Sequence, residues 1–403
     1  MKEYALSVSE EQHEDLARRL GAIRWPERVE GAGSERGILQ EVLEGLVAKW
    51  RGDKWAGDFD TRAVIARINE APNFVTEIDG APIHFQHYRS PHADATPLLI
   101  THGWPGAVTE FQRIIPMLTH PEEHGGSPTD AFHVVVPSLP GFTFSSPMRS
   151  TGWDVLRVAQ AWAALMDSLG YSSYIAQGGD AGSPISQALG LVDAEHVAGV
   201  HLNMLMTFPG KDFDPSGLDG LDLERLAAAQ RFGADGSGYM QLMMTRPLTL
   251  GFGLSDSPVG LLAWIAEKWF SWADPASWSS GSITAEDLLT VATVYWFTNT
   301  ASTSANFYYE GAPALRALMG GEAPPAGSTP MAVAVFPHDP FLPVSTLARE
   351  QHPNIVRWTE FDSGGHFAAL EVPELLCEDI RAFRTALRNG LRDGLPGATA
   401  AAA

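Results

Sequence analysis

The spacing of apolar and polar residues changes several times along the chain, and each change divides it. Through about residue 75 apolar positions recur every three or four residues, interrupted by Pro and Gly. That pattern predicts helical segments joined by turns, with Trp25, Trp50 and Trp55 as packing anchors. From Phe74 the period drops to two. Residues 75–78 and 83–88 alternate around Asp79-Gly80, the signal of a β-hairpin. Short apolar runs then predict strands at 97–101, 132–136, 173–176 and 197–202. Helical patterns separate them: one leading to Leu118, one over 153–169, one over 184–191. In the second of these, Val155, Ala159, Trp162, Met166 and Leu169 share one face. Apolar strands alternating with helices predict an α/β fold, a mostly parallel sheet with helices on both faces.

The alternation stops between about 205 and 312, where Met, Trp, Phe and Tyr are frequent and helical periods run over 259–270 and 285–307. This stretch reads as a helical insertion. Strand character returns at 331–336 and 355–361, and a last helix reaches about Leu387. The expected organisation is a helical extension (1–75), a first core part (76–204), a helical cap (205–312) and a second core part (313–393). The Ala- and Gly-rich end, 394–403, is expected to be a disordered tail. No internal repeat is visible.

Composition narrows the partners. The 403 residues suffice for one large domain with an insertion, and their formal charge of −21 repels phosphates. That charge argues against nucleic acid and anionic membranes as partners. The single cysteine, Cys377, cannot form an internal disulfide and fits a reducing compartment. Residues 1–20 lack the basic start and continuous apolar run of a signal peptide, and no apolar run is long enough to span a bilayer. A cytoplasmic protein is expected, with a homodimer left open.

The most informative chemistry lies in Ala176-Gln177-Gly178-Gly179-Asp180-Ala181-Gly182-Ser183, between a predicted strand and a predicted helix. Strand, small-x-Asp-x-small, helix is the shape of the nucleophile elbow of the α/β-hydrolase fold. Gly178 and Gly182 suit a turn that forces positive φ and close strand–helix packing. A carboxylate is ionised at neutral pH and attacks without a base, and its alkyl esters suit carbon electrophiles such as epoxides and alkyl halides. The alternative is a Gly-rich turn in which Asp180 merely caps a helix. An elbow also requires an acid and then a histidine later in the chain, each just past a strand. Phe336-Pro337-His338-Asp339 and Phe361-Asp362-Ser363-Gly364-Gly365-His366-Phe367 supply them in that order. Asp339 is the expected acid; Asp362 competes but shares the His366 loop. His366 would then activate water against the ester. The oxyanion N–H groups would come from Ala181 and from Trp104 in His102-Gly103-Trp104-Pro105, the loop after the first parallel strand.

These motifs resemble those of the microsomal-type epoxide hydrolases. The resemblance rests on His102-Gly103-Trp104-Pro105-Gly106, Gly178-Gly179-Asp180-x-Gly182 and Gly364-Gly365-His366-Phe367. Arg24-Trp25-Pro26 and Phe59-Asp60 are similar to that family's N-terminal extension, so the likeness runs nearly the whole chain in order. It implies an epoxide and water as substrates, no cofactor, no metal, and two cap tyrosines that hold the epoxide oxygen. Gly238-Tyr239-Met240 and Phe307-Tyr308-Tyr309-Glu310 resemble the two tyrosine motifs. Neighbouring helical residues point about 100° apart, so Tyr308 and Tyr309 cannot share the pocket; the Phe-Tyr-x-Glu pattern favours Tyr308. One position departs from the family: Ala181 stands where Trp usually follows the nucleophile, which implies a wider pocket. A haloalkane-type dehalogenase and a non-catalytic α/β-hydrolase binding protein are the competing readings. The dehalogenase would need halide-holding Trp or Asn donors where the tyrosines stand. The binding protein would be expected to lack one of Asp180, Asp339 and His366.

Overall fold

A computed structural model describes residues 1–390 apart from Ala32; the tail expected at 394–403 lies outside the described residues. Among the described residues the strands are β1 (Lys2–Glu3), β2 (Asn73–Ile78), β3 (Ala81–Tyr88), β4 (Thr96–Thr101), β5 (Phe132–Pro137), β6 (Tyr174–Gly178), β7 (Val197–Leu202), β8 (Met331–Val335) and β9 (Ile355–Glu360). They form one sheet in the order β1-β2-β3-β5-β4-β6-β7-β8-β9. The β1–β2, β2–β3 and β3–β5 pairs are antiparallel, and every pair from β5 through β9 is parallel.

Parallel strands need crossovers, and the crossovers cover both faces. Alternate residues of each strand therefore enter two different cores. Leu98, Ile100, Val134, Val136, Ile175, Ala332 and Ala334 pack with Ile114, Leu118, Leu376, Ile380 and Phe383 from the helices Ile114–Thr119 and Pro373–Arg388. Leu99, Val135, Ala176, Leu202 and Val333 face the other way, onto Val158, Trp162, Ile185 and Leu189 from Val155–Ser168 and Gly182–Val192. Each such large aliphatic or aromatic side chain contributes about 1.5–3 kcal/mol by leaving water.

Between β7 and β8 the chain leaves the sheet for seven α-helices, from Gly220–Arg231 to Ala301–Met319. The N-terminal helices dock on this insertion: Leu16, Leu20, Leu46 and Val47 share a core with Leu261, Ile265 and Val291. The Trp50 indole N–H donates to Thr293 Oγ1 at 2.9 Å. No single helix among the described residues is long and apolar enough to cross a membrane, although the bent pair Pro247–Asp256 and Pro258–Trp272 passes by length and composition.

Four details differ from the sequence reading. Trp55 is 76 % exposed and anchors nothing. Lys2–Glu3, expected within a helical stretch, extends the sheet edge beside β2. The helix expected over 285–307 is two helices, because Asn299 adopts φ 52° and caps Ala285–Thr298 in the left-handed region that Asn tolerates. The second helix, Ala301–Met319, carries the insertion past the expected boundary at 312.

Candidate active site

β6 delivers the chain into a turn tight enough to push a non-glycine residue into the left-handed region. Asp180 has φ 47°, a conformation that costs about 1–3 kcal/mol and persists only where surrounding contacts enforce it. The enforcement comes from close approach. A Cβ on Gly178 would collide with the Gly182 carbonyl, and one on Gly182 with the Thr101 carbonyl of β4. These glycines therefore serve packing; the positive φ expected of them belongs to Asp180 itself. A Cβ on Gly103 would strike the Asp180 carboxylate, so the loop after β4 has to carry glycine there.

That loop holds one carboxylate oxygen. Asp180 Oδ1 accepts the Trp104 backbone N–H at 2.9 Å and its neighbour Ala181's at 2.7 Å. Buried His102 braces the loop, meeting Gly103 O through Nδ1 at 2.9 Å and accepting the Leu139 N–H on Nε2 at 3.1 Å. Burial drives its imidazole down to about 4, so it is neutral at physiological pH. Pro105 follows Trp104 through a cis peptide.

Asp180 Oδ2 faces His366 Nε2 at 3.5 Å, and His366 Nδ1 meets Asp339 Oδ2 at 3.0 Å. Asp339 Oδ1 accepts the Phe341 N–H at 2.7 Å. Asp362 is exposed on the loop before His366 and takes no part. Burial alone would lower the His366 imidazole, but the carboxylates of Asp339 and Asp180 outweigh it and raise it to about 10. At rest the histidine is therefore a cation between two carboxylates.

Several residues that position His366 were not visible in sequence. Its N–H donates to Trp272 O at 3.0 Å, and the Trp272 ring lies edge-on to the imidazole at 4.9 Å. Glu371 accepts the Phe367 and Asp274 N–H groups at 2.8 and 2.7 Å, and Asp274 Oδ2 accepts that of Gly364 at 3.1 Å. Burial lifts the Glu371 carboxyl to about 7. Trp272 and Asp274 belong to the insertion, so the insertion and the histidine loop are tied together directly.

A cavity of about 580 Å³ opens on Asp180 between the helix Gly182–Val192 and the insertion, lined by Tyr239, Tyr308, Ala181 and mostly apolar side chains. Tyr239 is buried and its ring stacks on Trp104 at 5.2 Å; the Tyr308 ring stands edge-on to Tyr239 at 6.1 Å. Burial and the Asp180 charge hold both phenols well above their ordinary value, so both stay protonated. Tyr309 is exposed, as the helical spacing requires once Tyr308 faces the cavity. Lys268, also missed in sequence, puts its ammonium 4.7 Å from the Tyr239 ring centroid. Among the described residues, no group of three or more His, Cys, Asp and Glu is arranged to hold a metal ion.

Comparison with known proteins identifies the family. Residues 1–111 match the family described as epoxide hydrolase N terminus, and residues 96–233 match the alpha/beta hydrolase fold. The chain is 42 % identical to a Stigmatella aurantiaca protein assigned to the epoxide hydrolases, over 94 % of this chain and 83 % of that one. It is 33 % identical to epoxide hydrolase 1 of Sus scrofa, over 95 % of this chain and 88 % of the relative. The epoxide hydrolase structure from Aspergillus niger superposes with a TM-score of 0.83 at 33 % identity, covering 96 % of both chains. Given an intact Asp–His–Asp constellation, a tyrosine-lined cavity and likeness over almost its full length, the chain belongs to the epoxide hydrolase family of the α/β-hydrolase fold and is an epoxide hydrolase.

Proposed function

We propose that the chain opens an epoxide to a vicinal diol through a covalent ester on Asp180. The observation that carries this reading is the unequal use of the two carboxylate oxygens. Oδ1 is held by two N–H groups, while Oδ2 accepts from neither, and the Asp180 side chain borders the cavity. Oδ2 attacks an epoxide carbon from the back as the carbon–oxygen bond breaks. Tyr239 and Tyr308 hold the departing oxygen, and one of them protonates it. Alkylation removes the Asp180 charge, so the support that kept His366 protonated falls by one carboxylate. His366 then sheds its proton, the tyrosine is restored, and a neutral imidazole stands beside the ester.

In the second step His366, oriented by Asp339, takes a proton from water as the water oxygen attacks the Asp180 carbonyl carbon. The Trp104 and Ala181 N–H groups stabilise the negative charge gathering on Oδ1. Collapse breaks the bond from that carbon to Oδ2, and the diol leaves carrying Oδ2 with a proton. The Asp180 carboxylate and the protonated His366 imidazolium are regenerated. Atoms and charge balance as epoxide plus water giving diol. The size and apolar lining of the cavity suit a bulky apolar epoxide, and Ala181 leaves the wall beside the nucleophile open. A cytoplasmic location is proposed on the acidic composition and the single buried thiol of Cys377.

Single turnover in heavy-oxygen water tests the covalent step. The first diol should carry no solvent label, because its new oxygen comes from Asp180. Label in that first diol would mean that water, and not Asp180, attacks the ring.

A further inference from the structure

Asp180 borders a second, much smaller cavity on the side away from the tyrosines. It measures about 30 Å³, and its polar walls are Asp180, His366, Asn203 and Glu110. His366 borders this cavity and not the large one, whereas Tyr239 and Tyr308 border only the large one. A water needs at least roughly 10–15 Å³ and two to four polar partners, so the space has room for a water and no more than about two. Glu110 stands on the short turn Val108–Phe111, in the same loop that supplies the Trp104 N–H. The backbone is shaped around its carboxyl: a Cβ on Gly106 would collide with Glu110 Oε2. The Gly106 carbonyl is in turn fixed by the Tyr295 hydroxyl at 3.0 Å.

We propose that Glu110 holds the hydrolytic water in this small cavity, between His366 and the Asp180 ester. A water there gives one hydrogen to His366 Nε2 and directs the other to a Glu110 carboxyl oxygen, which leaves a lone pair for the Asp180 carbonyl carbon. Burial pushes the Glu110 carboxyl up to about 8, the His366 charge opposing and the Asp180 charge adding. It is therefore a neutral acid at physiological pH and places no third negative charge beside Asp180 and Asp339. Its acceptor oxygen is enough to orient the water, and the proton goes to His366, not to Glu110.

This inference rests on the covalent reading, so the test separates the two steps. Acid-quenched flow with styrene oxide, read by intact mass, follows the formation and decay of the ester. Glu110→Ala should alkylate at the wild-type rate and hydrolyse the ester roughly 10- to 100-fold more slowly, the loss of one hydrogen bond to a reacting water. Ester should accumulate in the steady state. Glu110→Gln, which keeps a neutral acceptor, should restore most of the hydrolysis rate. Gly106→Ala displaces the carboxyl without removing it and should give the same split, which keeps the test available if Glu110→Ala does not fold. Wild-type hydrolysis in both Glu110→Ala and Gly106→Ala overturns the proposal. So does an equal fall of alkylation and hydrolysis across the variants, Glu110→Gln included, which marks a scaffold role. Wild-type enzyme that never forms an ester overturns the covalent reading and this inference with it, a result distinct from either of those.

Discussion

Replacing either cap tyrosine with phenylalanine isolates what the hydroxyls contribute. Tyr239 packs between Trp104 and Trp272, with ring centroids at 5.2 and 5.3 Å, and Tyr308 meets Trp104 edge-on at 6.2 Å. Phenylalanine keeps all three contacts and removes one hydroxyl from a side chain that lines the cavity, so folding should change by no more than about 1 kcal/mol. The rate effect should be far larger. As the epoxide ring opens, its oxygen gathers charge in an apolar cavity from which water is largely excluded. Losing one preorganised donor to such a charge costs about 2.7–4 kcal/mol, a roughly 10²–10³-fold fall in alkylation rate. Tyr239→Phe and Tyr308→Phe should each show this loss, with the double variant lower again but short of the product of the two, because the hydroxyls share one acceptor. On the proposed mechanism ester hydrolysis uses His366 and the Trp104 and Ala181 N–H groups, so it should stay near wild type. Stopped-flow tryptophan fluorescence can follow alkylation, since Trp104 lies beside the nucleophile and Trp272 beside the histidine. Wild-type alkylation in both single variants would assign the tyrosines to packing alone and refute the reasoning.

His366→Gln should still alkylate but stall at the ester, and its intact mass after epoxide addition should rise by one substrate; an unmodified mass with substrate bound would place His366 outside the hydrolytic step. Acid stability should depend on buried His84, whose Nδ1 meets Ser138 Oγ at 2.9 Å and Nε2 meets Asn73 Oδ1 at 3.1 Å. Burial, aided by the His102 charge, pushes its imidazole down to about 3. Its contribution is therefore complete above pH ~6.5 and lost as pH falls towards 3, at about 1.4 kcal/mol for each unit. Melting temperature should drop over that window, and His84→Gln should flatten the drop; an unchanged slope would show that protonation of His84 does not drive the loss.

What could be read in the sequence was local or ordered. β4, β5, β6 and β8 are short apolar runs between helical periods, and that pattern needs no knowledge of the fold. Asp180, Asp339 and His366 could be singled out as candidates because each follows a strand and they occur in the order an elbow demands. Glu110 was passed over because a glutamate in a short turn reads as surface charge; its meaning depends on a cavity closed by His366 and Asn203, far along the chain. Asp274 and Glu371 are separated by 97 residues, and no spacing rule connects them. The strain at the elbow was misplaced for a related reason. Glycine is the local signal for positive φ, yet here the left-handed residue is Asp180, held there by contacts with β4 and the loop that follows it. The break at Asn299 ran against a helical period that continues on both sides of it, and only the geometry of the cap exposes it.

On the covalent mechanism proposed above, the arrangement gives a physical reason for the order of the two chemical steps. Asp180 is the shared wall of two cavities: tyrosines and substrate space lie on one side, His366 and Glu110 on the other. The N–H pair on Oδ1 fixes the plane of the carboxylate, so alkylation on Oδ2 leaves the carbonyl carbon accessible from the histidine side. Charge then provides the timing. While Asp180 is anionic, His366 sits between two carboxylates, holds its proton and cannot serve as a base. Ester formation removes one of those charges and turns the same histidine into a base at the moment there is an ester to hydrolyse. Water is thus kept from being activated in the resting enzyme without any movement of the insertion. If this coupling holds, Asp180→Asn should lower the His366 pKa even with no substrate present, because Asn lacks the charge but keeps the shape. Proton NMR titration of the imidazole measures it directly, and a histidine that titrates in Asp180→Asn as it does in the wild type would break the link between alkylation and base activation.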